Sequence, residues 1–341
     1  MKIMLVAGGT GGHFFPALSM LPYLNKILHV DQFIFVLGKK KIEDHFAEMI
    51  PQDIIMYRVS GSYWAWKNPV RLAAVLLNSV QSLILIIRSR PKVIILFGSY
   101  LSLFPGIWGK LLGARVIIHE QNVIPGKVNR LLARLADEVW GTFRESKKYF
   151  PKIRGTFRHT GLPIRKNPDN PDFAGYQKET SSKRKIVFLG GSQGAAFINK
   201  LFMELIQKKN WTDSYYSILI GGLDQTTQNE NNYRVLSFCD NIYNLYQEAD
   251  LVVARAGAST IAEILEMKKK AILIPYPYSY QDHQLYNARE AYHLSGNNVV
   301  FFPQEEVQSG NFHGKVTEHL QKKYTWKENI SFQEKVLEGL K

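Results

Sequence analysis

The chain has 341 residues, 45% of them hydrophobic and 21% charged, a globular composition long enough for two domains. Cys239 is the only cysteine, which excludes an intrachain disulfide and a zinc site built on a thiolate cluster. The formal net charge of +14 lies wholly in the first half: residues 1–165 hold 23 Lys and Arg against 9 Asp and Glu, and residues 166–341 hold 20 of each. A cationic half-molecule suits an anionic partner, whether nucleic acid, anionic lipid or a phosphorylated substrate.

Met1–Ala7 reads as a strand that runs straight into a glycine turn, where a signal peptide needs an extended apolar run, so a cytoplasmic protein is expected. Lys2–Ala7 is a short buried strand, Gly8–Gly12 a turn, and Phe14 to about Leu28 a helix. Phe33–Leu37, Ile54–Tyr57, Val93–Phe97, Arg115–His119 and Glu138–Trp140 are further strands with helices between them. Leu72–Ile87 is the most apolar stretch, but Asn78, Ser79, Gln81 and Ser82 interrupt it, and it falls short of the ~20 apolar residues that a membrane span needs. Pro163, Pro168, Pro171 and the polar run Glu179–Lys183 mark a linker. A second series follows: strands at Lys185–Leu189, Ser217–Ile220, Leu251–Ala254 and Ala271–Ile274, with helices at Ala195–Lys208, Ser259–Lys268 and Gln281–Leu294. This alternation predicts an α/β chain of two doubly wound, Rossmann-like parallel-sheet domains facing a cleft. The expected divisions are 1–163, 164–325 and a C-terminal helix over 326–341.

A glycine-rich strand-to-helix turn opens each half. Ala7–Ala17 reads AGGTGGHFFPA, without the G-x-G-x-x-G spacing of dinucleotide folds or the Lys-Ser/Thr pair of a P-loop. Glycines at a helix start still let backbone N–H groups approach a diphosphate; a tight turn needing positive φ is the plainer alternative. Gly190–Asn199, GGSQGAAFIN, repeats the turn with a hydroxyl at Ser192. His13 is a candidate general base, with a structural hydrogen bond as its alternative. His119-Glu120-Gln121-Asn122 ends a strand with four polar side chains, either facing the crevice or capping the next helix. In Ala254–Glu263, ARAGASTIAE, Gly257 turns the chain and Glu263 falls one helical turn on, where a carboxylate can take both hydroxyls of a ribose. A capping box of Ser259 or Thr260 with Glu263 explains the same spacing. Pro275–Gln284, PYPYSYQDHQ, carries amide and acidic groups suited to sugar hydroxyls. No D-x-D, H-E-x-x-H or G-x-S-x-G occurs and the basic residues are scattered, so a metal-bridged sugar-nucleotide site, a zinc protease, a serine hydrolase and a nucleic-acid module are not expected.

With AGGTGGHFFPA, HEQN, GLPIR at Gly161–Arg165, GGSQGA, ARAGASTIAE and DHQ before Asn287-Ala288, the chain resembles the MurG family from Lys2 to about Ala288. These bacterial enzymes transfer N-acetylglucosamine from UDP-N-acetylglucosamine to lipid I, undecaprenyl-diphosphate-N-acetylmuramoyl-pentapeptide, giving lipid II. The resemblance implies a GT-B fold and an inverting transfer with no cofactor and no tightly bound metal. It also implies peripheral attachment to the cytoplasmic face of the plasma (inner) membrane. It puts Thr10, Gly11, Gly12, Asn122, Arg165, Ser192, Cys239, Ala258, Ser259, Thr260, Ile261, Ala262, Glu263 and Gln284 at donor-binding positions. Uracil is expected near Cys239, ribose on Glu263, and the phosphates against Ser192 and the Ser259-Thr260 helix start. Gly9, Tyr100 and Glu120 are expected on the acceptor side, with His13 as the base. The chain departs from the family in having fewer glycines in Phe97–Ser102, Ala262 where a hydroxyl residue is common, and Cys239 where an aliphatic residue is usual. Trp64 to Arg90, with Trp64, Trp66 and flanking Lys67, Arg71, Arg88, Arg90 and Lys92, suits an anionic membrane surface. The alternatives are another lipid glycosyltransferase of this fold, a UDP-N-acetylglucosamine epimerase, or a binding protein with a dead sugar site.

Overall fold

The computed structural model describes residues 1–39, 41–60, 69–164, 182–190, 195–222, 226–237, 239 and 242–327. Trp64, Trp66, Lys67, Arg165, Ser192 and all but the first two residues of the expected C-terminal helix lie outside them. The chain divides into two compact units that meet in sequence at Arg165–Lys166.

The N-terminal unit runs β1 (Lys2–Val6), α1 (Gly11–Ile27), β2 (Gln32–Leu37), α2 (Lys41–Glu48), β3 (Ile55–Arg58), α3 (Pro69–Ser89), β4 (Val93–Leu96), α4 (Leu103–Leu111), β5 (Arg115–Glu120), α5 (Lys127–Leu132), β6 (Glu138–Gly141) and β7 (Thr156–His159). Its sheet has the order β3-β2-β1-β4-β5-β6-β7, with every pair parallel. Side chains alternate across a strand, so β1 feeds two cores. Ile3 and Leu5 pack with Phe14 of α1 and Phe46 of α2, while Met4 and Val6 pack on the other face with Leu85 and Ile86 of α3. Phe14 and Phe46 stack at 4.5 Å, which fixes α1 against α2. Helix α3 buries Val75, Leu85 and Ile86 together with Asn78, Ser82 and Ser89, and leaves Leu76, Leu77, Val80, Ile84 and Ile87 exposed.

The C-terminal unit runs β8 (Arg184–Leu189), α6 (Ala196–Ile206), α7 (Lys209–Ser214), β9 (Tyr215–Ile220), β10 (Gln228–Asn229), β11 (Tyr233–Leu236), α8 (Ile242–Glu248), β12 (Leu251–Ala254), α9 (Ala258–Glu266), β13 (Ala271–Leu273), α10 (His283–Ser295), β14 (Val299–Phe301), α11 (Gln304–Ser309) and α12 (Phe312–Gln321). Its sheet order is β10-β11-β9-β8-β12-β13-β14, and only the β10–β11 hairpin pair is antiparallel. Strand β8 sends Ile186 and Phe188 into a core with Phe202 of α6 and Trp211 of α7. The expected helix over Ala195–Lys208 ends at Ile206, and a separate helix follows.

Both sheets thus have a topological switch point, between β1 and β4 in one and between β8 and β12 in the other, where successive connections leave in opposite directions. Such points open a crevice at the carboxyl ends of the strands, where open α/β sheets bind ligands. The glycine turn Gly8–Gly12 leaves the first sheet at one of these points, and Gly190 follows β8 directly at the other; the rest of the second glycine turn lies outside the described residues.

Candidate active site

In the N-terminal unit the glycine turn is shaped by a buried acid. Glu43 of α2 has no exposed surface, and its Oε1 accepts the backbone N–H groups of Gly9 and Gly38, each at 2.9 Å. A Cβ on Gly8 would overlap both Glu43 and Leu101, so only glycine admits this brace. Gly9 itself has φ 91°. Thr10 is the N-cap of α1 and makes no side-chain cap hydrogen bond, leaving its exposed hydroxyl and the first-turn N–H groups of Gly11 and Gly12 directed away from the helix. An anion at this end gains from both the N–H groups and the helix dipole.

His13 leans over the neighbouring turn after β4. Gly98 has φ 97°, and a Cβ there would come within 3.0 Å of His13 Cε1. Next to it Ser99 takes φ 66° and ψ 170°, a backbone region that costs any residue but glycine about 1–3 kcal/mol. The turn therefore keeps a glycine-like path although the sequence has fewer glycines. Tyr100 follows in a single 3-10 turn, half-buried.

The HEQN run closes β5. Glu120 is 2% exposed and binds its own loop: one carboxylate oxygen accepts the Asn122 N–H at 2.9 Å, the other the Gly126 N–H at 3.0 Å and Asn129 Nδ2 at 2.8 Å. Burial raises its pKa and these donors oppose the rise. His119 is fully buried, and desolvation holds its pKa down at about 4 against the carbonyl hydrogen bond from its ring to Gly161. Gln121 bridges to His13, with Oε1 3.1 Å from Nδ1. Asn122 stands half-buried beside this group.

In the C-terminal unit helix α9 starts at the switch point. Its N-cap is Gly257, with no side-chain cap hydrogen bond. The capping box therefore does not form, and Glu263 Oε2 instead accepts the hydroxyl of Tyr246 from α8 at 2.9 Å. Ser259 Oγ is buried and has no hydrogen-bond partner among the described residues. Thr260 is half-buried beside it. The side chains of Ala258, Ile261 and Ala262 all lie in the core, and the Ile261 N–H is bonded to Gly257 O at 3.0 Å. Those three residues place the helix, and only the first-turn backbone of Ala258 is open to a ligand.

Helix α10 is tied to the same point by Asn287 Nδ2, 3.2 Å from Ala256 O. Gln284 Oε1 accepts the Tyr276 N–H at 2.9 Å, so the amide is oriented with its NH₂ outward. Arg255 holds the ends of β13 and α11, with its guanidinium donating to Ile274 O at 3.1 Å and Gln304 Oε1 at 2.8 Å and lying over Phe197. Cys239 lies half-buried three residues beyond β11. Glu43, Tyr246 and Arg255 were not singled out in the sequence; Glu43 sits in a charged run, and only its burial sets it apart.

Family models match both halves: the glycosyltransferase family 28 N-terminal domain over residues 3–140 and the C-terminal domain over residues 185–339. A UDP-N-acetylglucosamine–N-acetylmuramyl-(pentapeptide) pyrophosphoryl-undecaprenol N-acetylglucosamine transferase from Aquifex aeolicus is 32% identical over 343 residues, covering 96% of this chain and 94% of that protein. The protein of the same name from Lawsonia intracellularis is 32% identical over 320 residues, covering 90% and 85%. Among solved structures, Acinetobacter baumannii MurG matches with a TM-score of 0.68 over 99% of this chain and 94% of that one, at 22% identity, a likeness of fold.

Proposed function

The chain belongs to the MurG family of glycosyltransferases, and from that premise we propose that it transfers N-acetylglucosamine from UDP-N-acetylglucosamine to lipid I, giving lipid II and UDP. The observation that carries this reading is the near-full-length similarity to transferases of that name, which spans both switch points. The epimerase alternative has no comparable support.

The proposed chemistry follows from the two turns. Glu263, oriented by Tyr246, takes the ribose hydroxyls, and Cys239 lies toward the uracil. The open first-turn N–H groups of α9, with Ser259 and Thr260, meet the diphosphate, and Gln284 offers its NH₂ to the sugar. Ser192 and Arg165 keep the donor roles assigned from sequence. In the N-terminal unit Thr10, Gly11 and Gly12 bind phosphate oxygens, with Tyr100 and Asn122 nearby, while Gly9, its N–H held by Glu43, shapes the turn and Glu120 acts by shaping the Asn122–Gly126 loop. His13 removes the proton of the muramoyl 4-hydroxyl; the oxygen attacks C1 of the sugar from the face opposite UDP, and the C1–O bonding pair leaves with UDP. The anomeric centre inverts. Charge growing on the diphosphate is met by helix-start N–H groups and Arg165, with no metal required.

The acceptor is carried on a lipid, and among the described residues no helix is long and apolar enough to cross a membrane. We assign the membrane contact to α3, whose exposed Leu76, Val80, Ile84 and Ile87 share one helical face and whose end carries Arg88, followed by Arg90 and Lys92. Helix α4, bonded to α3 through Trp108 Nε1 and Ser79 Oγ at 3.1 Å, ends in the equally exposed Leu111 and Leu112. Apolar side chains there enter the headgroup zone of the cytoplasmic leaflet while the cations meet anionic lipid.

The deciding experiment incubates the protein with labelled UDP-N-acetylglucosamine, with and without lipid I, before and after chelation of divalent metals. A lipid-linked disaccharide formed only with lipid I, and undiminished by chelator, is expected. An epimerised sugar nucleotide formed without acceptor would overturn the assignment.

A further inference from the structure

A neutral imidazole is a base at only one of its nitrogens, and the hydrogen bond at the other decides which. In the N-terminal unit that choice can be traced from a group that has none. The carbonyl oxygen of Gly161 can only accept, and His119 Nε2 lies 3.1 Å from it. That nitrogen therefore carries the proton of the neutral ring, and His119 Nδ1 carries the lone pair. Gln121 Nε2 lies 3.2 Å from that Nδ1 and 3.0 Å from the His119 carbonyl oxygen. Two acceptors facing one end of an amide define it as the NH₂ end, so Oε1 is turned toward His13 Nδ1 at 3.1 Å. An amide oxygen accepts, and His13 Nδ1 must then donate.

We propose that Gln121, locked by His119 and the Gly161 carbonyl, holds His13 in the Nδ1–H tautomer and so makes Nε2 the basic nitrogen in sugar transfer. Gln121 and His119 are positioning residues, and the proposal rests on the reading of His13 as the base. The surroundings support the lock. His119 is 0% and Gln121 2% exposed, so water does not compete for these bonds. The His119 ring also packs against Phe97, with centroids 5.3 Å apart. Its low pKa keeps it neutral through the neutral range, which preserves its single proton on Nε2. An amide partner differs from a carboxylate in a useful way: it selects the tautomer without the charge that would strengthen His13 as a base and retard proton release.

The test is the nitrogen-15 spectrum of the full-length protein labelled at histidine, with the His13 signals identified by their loss in His13→Asn. A protonated Nδ1 and an unprotonated Nε2 are expected in the unaltered protein. Gln121→Leu should move His13 toward the Nε2–H form and lower kcat roughly 10–100-fold through misplacement of the base, with KM for the donor unchanged. A majority of Nε2–H in the unaltered protein, or an unchanged tautomer in Gln121→Leu, would overturn the proposal. The first of these needs no change at Gln121, only the His13→Asn protein used for assignment. Failure of the base reading is seen separately, as near-normal turnover by His13→Asn.

Discussion

Each unit places a strand-to-helix turn at a switch point of the same kind, Gly8–Gly12 in one and Gly257 in the other, and the candidate side chains around the two are held by different means. In the N-terminal unit the supports are buried polar side chains: Glu43, His119, Glu120 and Gln121 are each no more than 2% exposed. Their hydrogen bonds run to backbone groups, to one another, and to the side chains of Asn129 and His13. In the C-terminal unit the candidate ligands, Thr260, Glu263 and Gln284, stand half-exposed at helix starts, with Glu263 and Gln284 each oriented by a hydrogen bond from outside its own helix. A buried polar group costs free energy unless it is fully bonded, and a fully bonded network is rigid. Proton transfer demands that rigidity more than nucleotide binding does. On the proposed chemistry, the first unit would then govern turnover and the second would supply most of the donor affinity.

The sharpest way to break this division is His13→Ala. Loss of a general base lowers turnover ~10²–10⁴-fold, and because most of the proposed donor ligands lie in the other unit, donor affinity should fall far less. Steady-state rates and donor titration on one preparation check both halves. A large loss of donor affinity in this variant would refute the division.

Acid should act on the buried network next. The native pKa of His119 is about 4 against an ordinary 6.5. Unfolding therefore takes up a proton between those values, and stability falls as pH falls through that window. By the usual conversion the shift is worth about 3 kcal/mol at the acid end. Glu120, whose carboxyl is raised, contributes with the opposite sign, so the His119 share is read by difference. His119→Gln should flatten the acid limb of the urea midpoint and slow turnover at neutral pH. His319 in the C-terminal unit, bonded to Asn298 O at 3.0 Å and also held at about 4, should flatten the limb when replaced by Gln and leave turnover alone. Equal effects of the two substitutions on turnover would contradict the special role given to the first network.

Most of this arrangement was legible in the sequence wherever one residue type has one use. Apolar runs marked both sheets' central strands, and the first glycine turn marked the end of β1, beside the switch point of its sheet. Strands β7, β10, β11 and β14 escaped notice. TFRH and YRVL mix polar with apolar side chains because these strands lie at or next to a sheet edge, where one face or flank meets solvent. Glu43 escaped for the opposite reason: a buried carboxylate and a solvated one are the same letter in IEDHF. The Glu263 spacing was ambiguous between a capping box and a ribose ligand, and only the Tyr246 hydroxyl, 17 residues away in sequence, resolves where its carboxylate points. Ile261 and Ala262 match the family motif by position but face the core.

On the donor side, Glu263→Ala should weaken UDP-sugar binding by ~1–3 kcal/mol through loss of charge-assisted hydrogen bonds. The helix should survive, since Glu263 makes no cap and its neighbours Ile261, Ala262, Ile264 and Leu265 supply the packing. Calorimetry would measure the affinity, and turnover at saturating donor should stay within a few-fold of normal. Unchanged affinity would leave Glu263 with no part in the donor site.

The smallest expected effect tests how that carboxylate is aimed. Tyr246→Phe keeps a ring that is fully buried and removes the hydroxyl that donates to Glu263 Oε2. A lost hydrogen bond of this kind is worth about 1 kcal/mol, so donor affinity should fall about fivefold. The same loss would follow if the hydroxyl only stabilised the fold, and a double-mutant cycle separates the two. If Tyr246 acts through Glu263, Tyr246→Phe should have no further effect on donor affinity once Glu263 is already Ala, giving a coupling close to the full single-variant effect. Additive losses would mean that the tyrosine reaches the donor by another route. They would also mean that the C-terminal site, unlike the N-terminal one, is not aimed by a buried hydrogen bond at all.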